Sequence, residues 1–379
     1  MSKIEKIYEK YTNYFLIDVK IESKSEKISN HPVYFEFDAS TDGEASVCTI
    51  RWVADCYDKS GKFGLNSGFK DVKIGSKISV SAGYHDGNYK NKHLVEIFRG
   101  FIFSYSIKIQ DRVSYLEISG IDAKVFLMAN RVTKFKSEGQ KYSKIVTEIL
   151  KNYSSKSSGN EVDIAEEPNN IRPELHQRNE SDFEYLRRIA DITGSLFYVV
   201  NGKFMFVSSK FNSSADISIS PFGIINSDNI INSIQFRSNF IGIPKKMSVR
   251  FIGNEEYSKE PKPTDVKSSK KIGSGKTADE LTNNISDINT FNIIDFAIDS
   301  AESAKFAANS LYRKKSLNFA TCEITCKFLP DAKIGSSVKI SGFSNPINNN
   351  YIITYLNHKY DGSNFKTTMK LSADSFNQL

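Results

Sequence analysis

The sequence predicts a mainly β fold with an α+β insert: two antiparallel β-barrel domains flanking a small α/β domain. Three observations carry this. Phe (27) and Tyr (18) are abundant beside Ile, Val and Thr, residue types that suit a pleated, half-buried surface. Successive strand-like runs occupy residues 14–122 with turn clusters and no helical period between them. The apolar spacing then turns helical within residues 140–194 and returns to alternation near residue 229.

Taken in order, the first six runs are YFLIDVKIES, HPVYFEFDAS, ASVCTIRWVA, SKISVSAGY, LVEIFRGFIFSYSIKIQ and VSYLEISGI. Alternation puts Ile78, Val80 and Ala82 on one face, and Leu116, Ile118 and Gly120 on one face. Thr41-Asp42-Gly43 and His85-Asp86-Gly87-Asn88 supply turns. AKVFLMANRV, residues 123–132, predicts a short helix. QKYSKIVTEILKNY, residues 140–153, predicts a longer one, with Ile145, Ile149 and Tyr153 four apart. SSKSSGN, residues 154–160, reads as a surface loop. Ser181 is an N-cap followed by Asp182 and Glu184 in the first turn, where they suit the helix dipole. Phe183, Leu186, Ile189 and Ala190 form that helix's apolar stripe, and Gly194 ends it. SLFYVV and KFMFV then make a hairpin around Asn201-Gly202, a type I′ signal.

The second β region opens with NIINSIQFRSN and KKMSVRFIG. Residues 255–275, rich in Pro, Lys and Ser, read as a long mobile loop. Residues 299–315 form a helix with Ala301, Ala304, Ala308 and Leu311 on one side. LNFATCEITCKF, SSVKISGF and a hairpin pair around Asp361-Gly362 close the fold. The expected domains are 1–125, 126–225 and 226–379.

Composition excludes several function classes. With 39% hydrophobic and 25% charged residues the chain buries a core and is not disordered. No run approaches the ~18 apolar residues of a membrane span, and residues 1–20 lack a signal-peptide core. The expectation is a protein made in the cytoplasm without a membrane anchor. The net charge of +7 is spread among acidic neighbours, so no specific nucleic-acid groove is expected. Cys48, Cys56, Cys322 and Cys326 lack CxxC spacing and read as reduced core residues, the last two on one strand face. His31, His85, His93, His176 and His358 are scattered. The sequence assigns no metal and no cofactor. It also holds no GxSxG elbow, phosphate-binding loop or dinucleotide fingerprint, so no catalytic residue is assigned and an enzyme is not expected.

HQRNESDFEYLRRIADITGSLFYVVNGKFMFV resembles the diagnostic segment of tail-hub proteins: the phage late control protein D family, the VgrG proteins of type VI secretion, and hub proteins of myophage baseplates and tailocins. Gln177, Glu180, Ser181, Asp182, Tyr185, Leu186, Arg188, Ile189, Ala190 and Gly194 meet that pattern in register. A second similarity runs from Gly335 through Val338 and Ile340 to Gly342, then to a strand carrying His358. The resemblance implies tube-type barrels, and a homotrimer whose pseudo-six-fold ring adapts a hexameric tail tube to a trimeric spike. It further implies a tail tube protein, a separate spike protein and other baseplate subunits as partners, since no β-helical spike or lysozyme domain is expected beyond residue 379. Synthesis in the bacterial cytoplasm and incorporation into a virion tail or tail-like particle follow. The motif helix with its buried stripe is expected to be structural, with Gln177 and Glu180 capping or bridging. The competing expectation is a carbohydrate- or cell-wall-binding β module using Tyr84, Tyr89 and Tyr105.

Overall fold

The computed structural model describes residues 15–21, 31–41, 43–54, 69, 72–85, 92–110, 113–134, 140–165, 167, 176–208, 215–221, 223–224, 231–243, 246–250, 256–259, 271–282, 290–294 and 300–379. The first six runs become β1 (Phe15–Ile21), β2 (Tyr34–Ser40), β3 (Val47–Val53), β4 (Lys77–His85), β5 (Lys92–Gln110) and β6 (Val113–Ile121). Their alternation is the reason: β6 buries every second side chain, including Leu116 and Ile118, and β2 buries Phe35, Phe37 and Ala39. They pair antiparallel in the order β1-β4-β5-β6-β3-β2.

The middle of the chain supplies α1 (Lys124–Met128), β7 (Arg131–Lys134), α2 (Tyr142–Lys151), β8 (Asn160–Asp163), β9 (Gln177–Ser181), α3 (Asp182–Thr193), β10 (Ser195–Val200), β11 (Lys203–Ser208), β12 (Ile217–Ser220) and β13 (Gly223–Ile224). The short helix expected over 123–132 is therefore shorter, because Arg131–Lys134 pairs with β9 instead. The β10–β11 hairpin turns through Asn201 and Gly202, both at positive φ (50° and 74°), as a type I′ turn requires.

The last part adds β14 (Ile231–Ser238), β15 (Lys246–Arg250), β16 (Glu256–Lys259), β17 (Lys276–Thr277), α4 (Ala278–Leu281), β18 (Thr290–Ile294), α5 (Ala301–Ser316), β19 (Ala320–Lys327), β20 (Ser337–Ile340), β21 (Asn349–Tyr360), β22 (Phe365–Ala373) and β23 (Ser375–Phe376). The loop expected over 255–275 needs correction at both ends. Glu256–Lys259 is a strand paired with β15. Backbone amides of Ile272 and Gly273 are held by Asp374 at 3.1 Å, and Ser274 N–H donates to Asn349 Oδ1 at 2.6 Å. Polar composition hid both, because edge strands and side-chain-tied backbone need no apolar run. Residues 260–270 lie outside the described residues, as do Cys56, Tyr89 and the side chain of Ala301.

One sheet of 13 strands joins the two ends of the chain. β21 pairs with β22 along one edge. On its other edge it pairs with β20 through Asn349–Ile352 and with β2 through Tyr355–Tyr360. The ladder is antiparallel except for β12 against β20; β8 against β11 and β15 against β18 are also parallel, in small separate sheets. Cys322 and Cys326 share the buried face of β19, and they and Cys48 are free and buried.

Two cores result. The larger is common to both ends of the chain and includes Phe35, Trp52, Val80, Ile324, Leu356 and Leu371. The smaller joins α2, α3 and the β10–β11 hairpin, and also takes Ala304, Phe306, Ala307 and Ala308 from α5. A helix distant in sequence thus completes the insert. The Tyr84 hydroxyl, buried with its pKa pushed up by desolvation, donates to the Phe328 carbonyl and ties β4 to the segment after β19. Tyr84→Phe is expected to lower stability to urea by about 1–3 kcal/mol, the cost of an orphaned buried acceptor. One cooperative transition should remain, because the core is shared. An unchanged midpoint, or two separate transitions, would show that the ends of the chain do not depend on each other.

Candidate functional site

The motif residues fall into one cluster and four separate points. Strand β9 and helix α3 adjoin directly, so Gln177 to Arg188 occupy one corner. Ser181 stands at the N-cap in extended conformation, and its Oγ accepts from the Glu184 amide at 3.1 Å. Glu184 Oε2 returns the bond to the Ser181 amide at 2.8 Å, completing a capping box. The Ser181 amide holds the Glu184 carboxyl below the ordinary carboxylate range, helped by Arg131.

Gln177 is buried and its amide nitrogen donates to the Glu180 carbonyl and to Asp182 Oδ1, both at 2.9 Å. Tyr153 at the end of α2 donates to the other oxygen, Asp182 Oδ2, at 2.6 Å. Asp182 therefore links α2, β9 and α3 through one carboxylate. Arg188 donates to the His176 carbonyl at 2.8 Å and pairs with Glu180 at 3.2 Å, while its guanidinium lies 5.2 Å from the Tyr185 ring centroid. Tyr185 and Leu186 are fully buried, and burial pushes the Tyr185 hydroxyl up to about 12. Arg131 of β7 donates to the Asn179 carbonyl at 3.0 Å and pairs with Glu184.

The three motif glycines lie at points of close approach. Gly194 ends α3 at φ 62°, and a Cβ there would overlap the Ser310 carbonyl of α5. At Gly335 (φ 81°) it would overlap the Tyr198 hydroxyl on the hairpin, and at Gly342 (φ 85°) it would sit 2.8 Å from Pro221 Cδ. Each glycine combines a left-handed backbone with contact to a different element. His358 on β21 is fully buried and faces Phe37 of β2, rings 5.9 Å apart. Its Nδ1 is 2.9 Å from Thr367 Oγ1 on β22, and its Nε2 has no hydrogen-bond partner. Burial lowers its pKa to about 3.

Sequence reasoning did not name Arg131, Tyr153, Tyr198, Pro221, Ser310 or Thr367 as partners. Most of these contacts span tens of residues or more in sequence, and no local pattern encodes them. Asn179 is different: its φ of 50° is one that Asn tolerates, which is a readable signal. Of the aromatics named for glycan binding, Tyr84 is corrected, since the core and the Phe328 carbonyl consume it, whereas Tyr105 is 45% exposed.

The arrangement supports position rather than reaction: the acidic groups are spent on caps, a guanidinium and a buried amide. Ser181→Ala is expected to cost about 1 kcal/mol of stability to urea, and Gly194→Ala more, because the Ser310 carbonyl cannot move aside independently of its helix. Equal small losses would contradict the close-approach reading. His358 carries a pH dependence of defined sign. The unfolded chain binds a proton near pH 6.5 that the fold refuses down to about pH 3. Its contribution is therefore full above pH 6.5 and is lost as pH falls toward 3. The stability advantage of wild type over His358→Gln should shrink from pH 7.5 to pH 4 in urea titrations; parallel pH curves would contradict it.

The family model of the Alg8 N-terminal domain matches residues 19–361. No curated protein matches. Among solved structures, the 43 kDa tail protein of prophage MuSo2 from Shewanella oneidensis aligns with TM-score 0.64 and 12% identity, over 94% of this chain and 98% of that one. A tail protein from Neisseria meningitidis MC58 aligns with TM-score 0.67 and 12% identity, over 95% and 97%. The E. coli c3393 protein, a component of the type VI secretion system, gives 0.57 and 10%, over 95% and 79%. At these identities the likeness is one of fold, and it runs the length of the chain. The fold is that of phage tail proteins, and the chain belongs to the Alg8 N-terminal domain family.

Proposed function

We propose that this protein is a structural, non-catalytic baseplate hub of a contractile injection particle, of the late control protein D type. Three copies would form a ring that adapts a hexameric tail tube to a separate trimeric spike, with other baseplate subunits around it. The observation that carries this reading is the likeness of fold to tail proteins over nearly the whole of both chains. In this reading residues 1–125 and 226–379 are tube-type barrels and residues 126–225 are the insert packed against them. The protein is made in the bacterial cytoplasm and built into a virion tail or tail-like particle.

Two further observations support it. The motif residues serve caps, close approaches and a buried seam, which is what a rigid adaptor needs. Strand β5 also continues beyond its pairing with β4, and there Phe103, Tyr105, Ile107 and Ile109 are 36–49% exposed at alternate positions. A row of exposed apolar side chains on one strand is an assembly surface.

Light scattering on the purified chain, alone and with its candidate spike protein, tests this. A trimer of the 42.7 kDa chain, formed alone or on adding the spike, is the expected result. Ile107→Lys with Ile109→Lys should leave a folded monomer. A wild-type monomer that ignores the spike and is retained by cell-wall glycan would overturn the reading.

A further inference from the structure

We propose that the ladder between β2 and β21 is an acid-sensitive joint: proton uptake on both of its faces opens it while the rest of the molecule stays folded. The inference stands independently of the hub reading. This ladder is where the two ends of the chain meet, and its register sets the titrating groups in adjacent pairs. Phe37 stands opposite His358 on the inner face, and Glu36 opposite Lys359 on the outer face.

On the inner face a row of side chains crosses five strands. Cys326 of β19, Thr367 of β22, His358, Phe37 and Cys48 of β3 are successive partners. Thr367 Oγ1 accepts from the Leu329 amide, so its hydroxyl donates to His358 Nδ1. The ring hydrogen then sits on Nε2, which has no acceptor. A proton arriving at Nδ1 takes that acceptor from Thr367 and puts a cation beside the rings of Phe37 and Phe328. Among the described residues, the titratable groups on the elements around this row are Cys48, Cys326 and Tyr84. Burial pushes all three up, so in acid they stay neutral and supply no countercharge.

On the outer face Glu36 accepts from the Tyr34 hydroxyl, from Lys359 Nζ at 3.2 Å and from Asn357 Nδ2 at 3.4 Å. Asp38 accepts from the Tyr355 hydroxyl at 2.6 Å and from Asn357 at 2.9 Å. Arg51, paired with Glu117, lies over the Tyr34 ring, Lys370 lies over the Tyr355 ring, and Glu323 acts on Tyr355 from β19. Burial raises the Glu36 carboxyl, but Tyr34, Lys359 and Asn357 outweigh it and hold it below the ordinary carboxylate range. Lys359 and Asn357 belong to β21, so protonating Glu36 loosens bonds that cross the joint.

Both groups act in one direction. Each binds its proton more weakly in the closed joint than in an open one, so falling pH favours opening. For His358 the window runs from pH 6.5 down to about pH 3, and Glu36 joins below pH 4.5. The opening is confined, because β20 holds residues 349–352 of β21 and β22 holds its other edge.

Two buried free thiols separate the joint from the body. Cys48 is one strand from the joint, whereas the row through Cys322 meets β21 at Ile353, outside the ladder with β2. The full chain is labelled with the aromatic disulfide dithiodipyridine, which reacts with thiols in acid, and each thiol is quantified by peptide mass spectrometry. Rates are normalised to those of the urea-unfolded chain at the same pH. From pH 7.5 to pH 4.5, Cys48 labelling should rise roughly 100-fold, about tenfold for each pH unit below 6.5, while Cys322 stays within about threefold. His358→Gln should leave Cys48 labelling nearly flat over that range, and Glu36→Gln should flatten it only below pH 4.5. Each readout is a pH slope within one protein, so a general loss of stability does not imitate it, and the wild-type comparison needs no variant. Equal acceleration of Cys48 and Cys322, a Cys48 rate that ignores pH, or an unchanged slope in His358→Gln would overturn the proposal.

Discussion

The molecule depends on one strand having two neighbours on a single edge. β21 gives residues 349–352 to β20 and residues 355–360 to β2, while β22 runs along its other side. Residues about 320 positions apart, such as Asp38 and Tyr355, therefore share a ladder and a 2.6 Å hydrogen bond. Closing so long a loop costs conformational entropy that grows slowly with length but must be offset locally. The offset lies at the seam itself, where Phe35, Phe37, Phe365, Phe328 and His358 bury their rings against one another.

His358 shows what that seam demands. A wholly apolar residue would pack there too, yet the imidazole reaches Thr367, whose Oγ1 also accepts from the Leu329 amide at 2.9 Å. One hydroxyl thereby connects β21, β22 and the segment that follows β19. The glycines do the corresponding work between the insert and the rest: Gly194 admits α5, Gly335 admits the hairpin tyrosine and Gly342 admits Pro221. With the capping box at the other end of α3, the insert is held at both ends of its central helix.

Much of this was legible. Period-two alternation located β1 to β6 within a few residues, and a Ser-x-x-Glu cap, an apolar stripe and a terminal Gly defined α3. What escaped was of two kinds. Short polar strands such as β9 and β16 carry no apolar period, because they lie at edges or are stabilised by side-chain bonds. Pairings across long stretches of chain leave no local trace: nothing in residues 34–40 announces residues 355–360, and nothing in the α5 alanines announces that they complete the insert's core. The motif residues could be recognised from their spacing, but their partners could not.

The proposed hub would be built on a body whose two ends share one sheet, with an insert held at both ends of its central helix. Electron cryomicroscopy of the assembled particle tests that most directly. The account predicts three copies in one ring on the particle axis, between tube and spike, with the β5 stripe buried between copies. Copies lying off the axis, a different number in the ring, or a stripe left in solvent would contradict it.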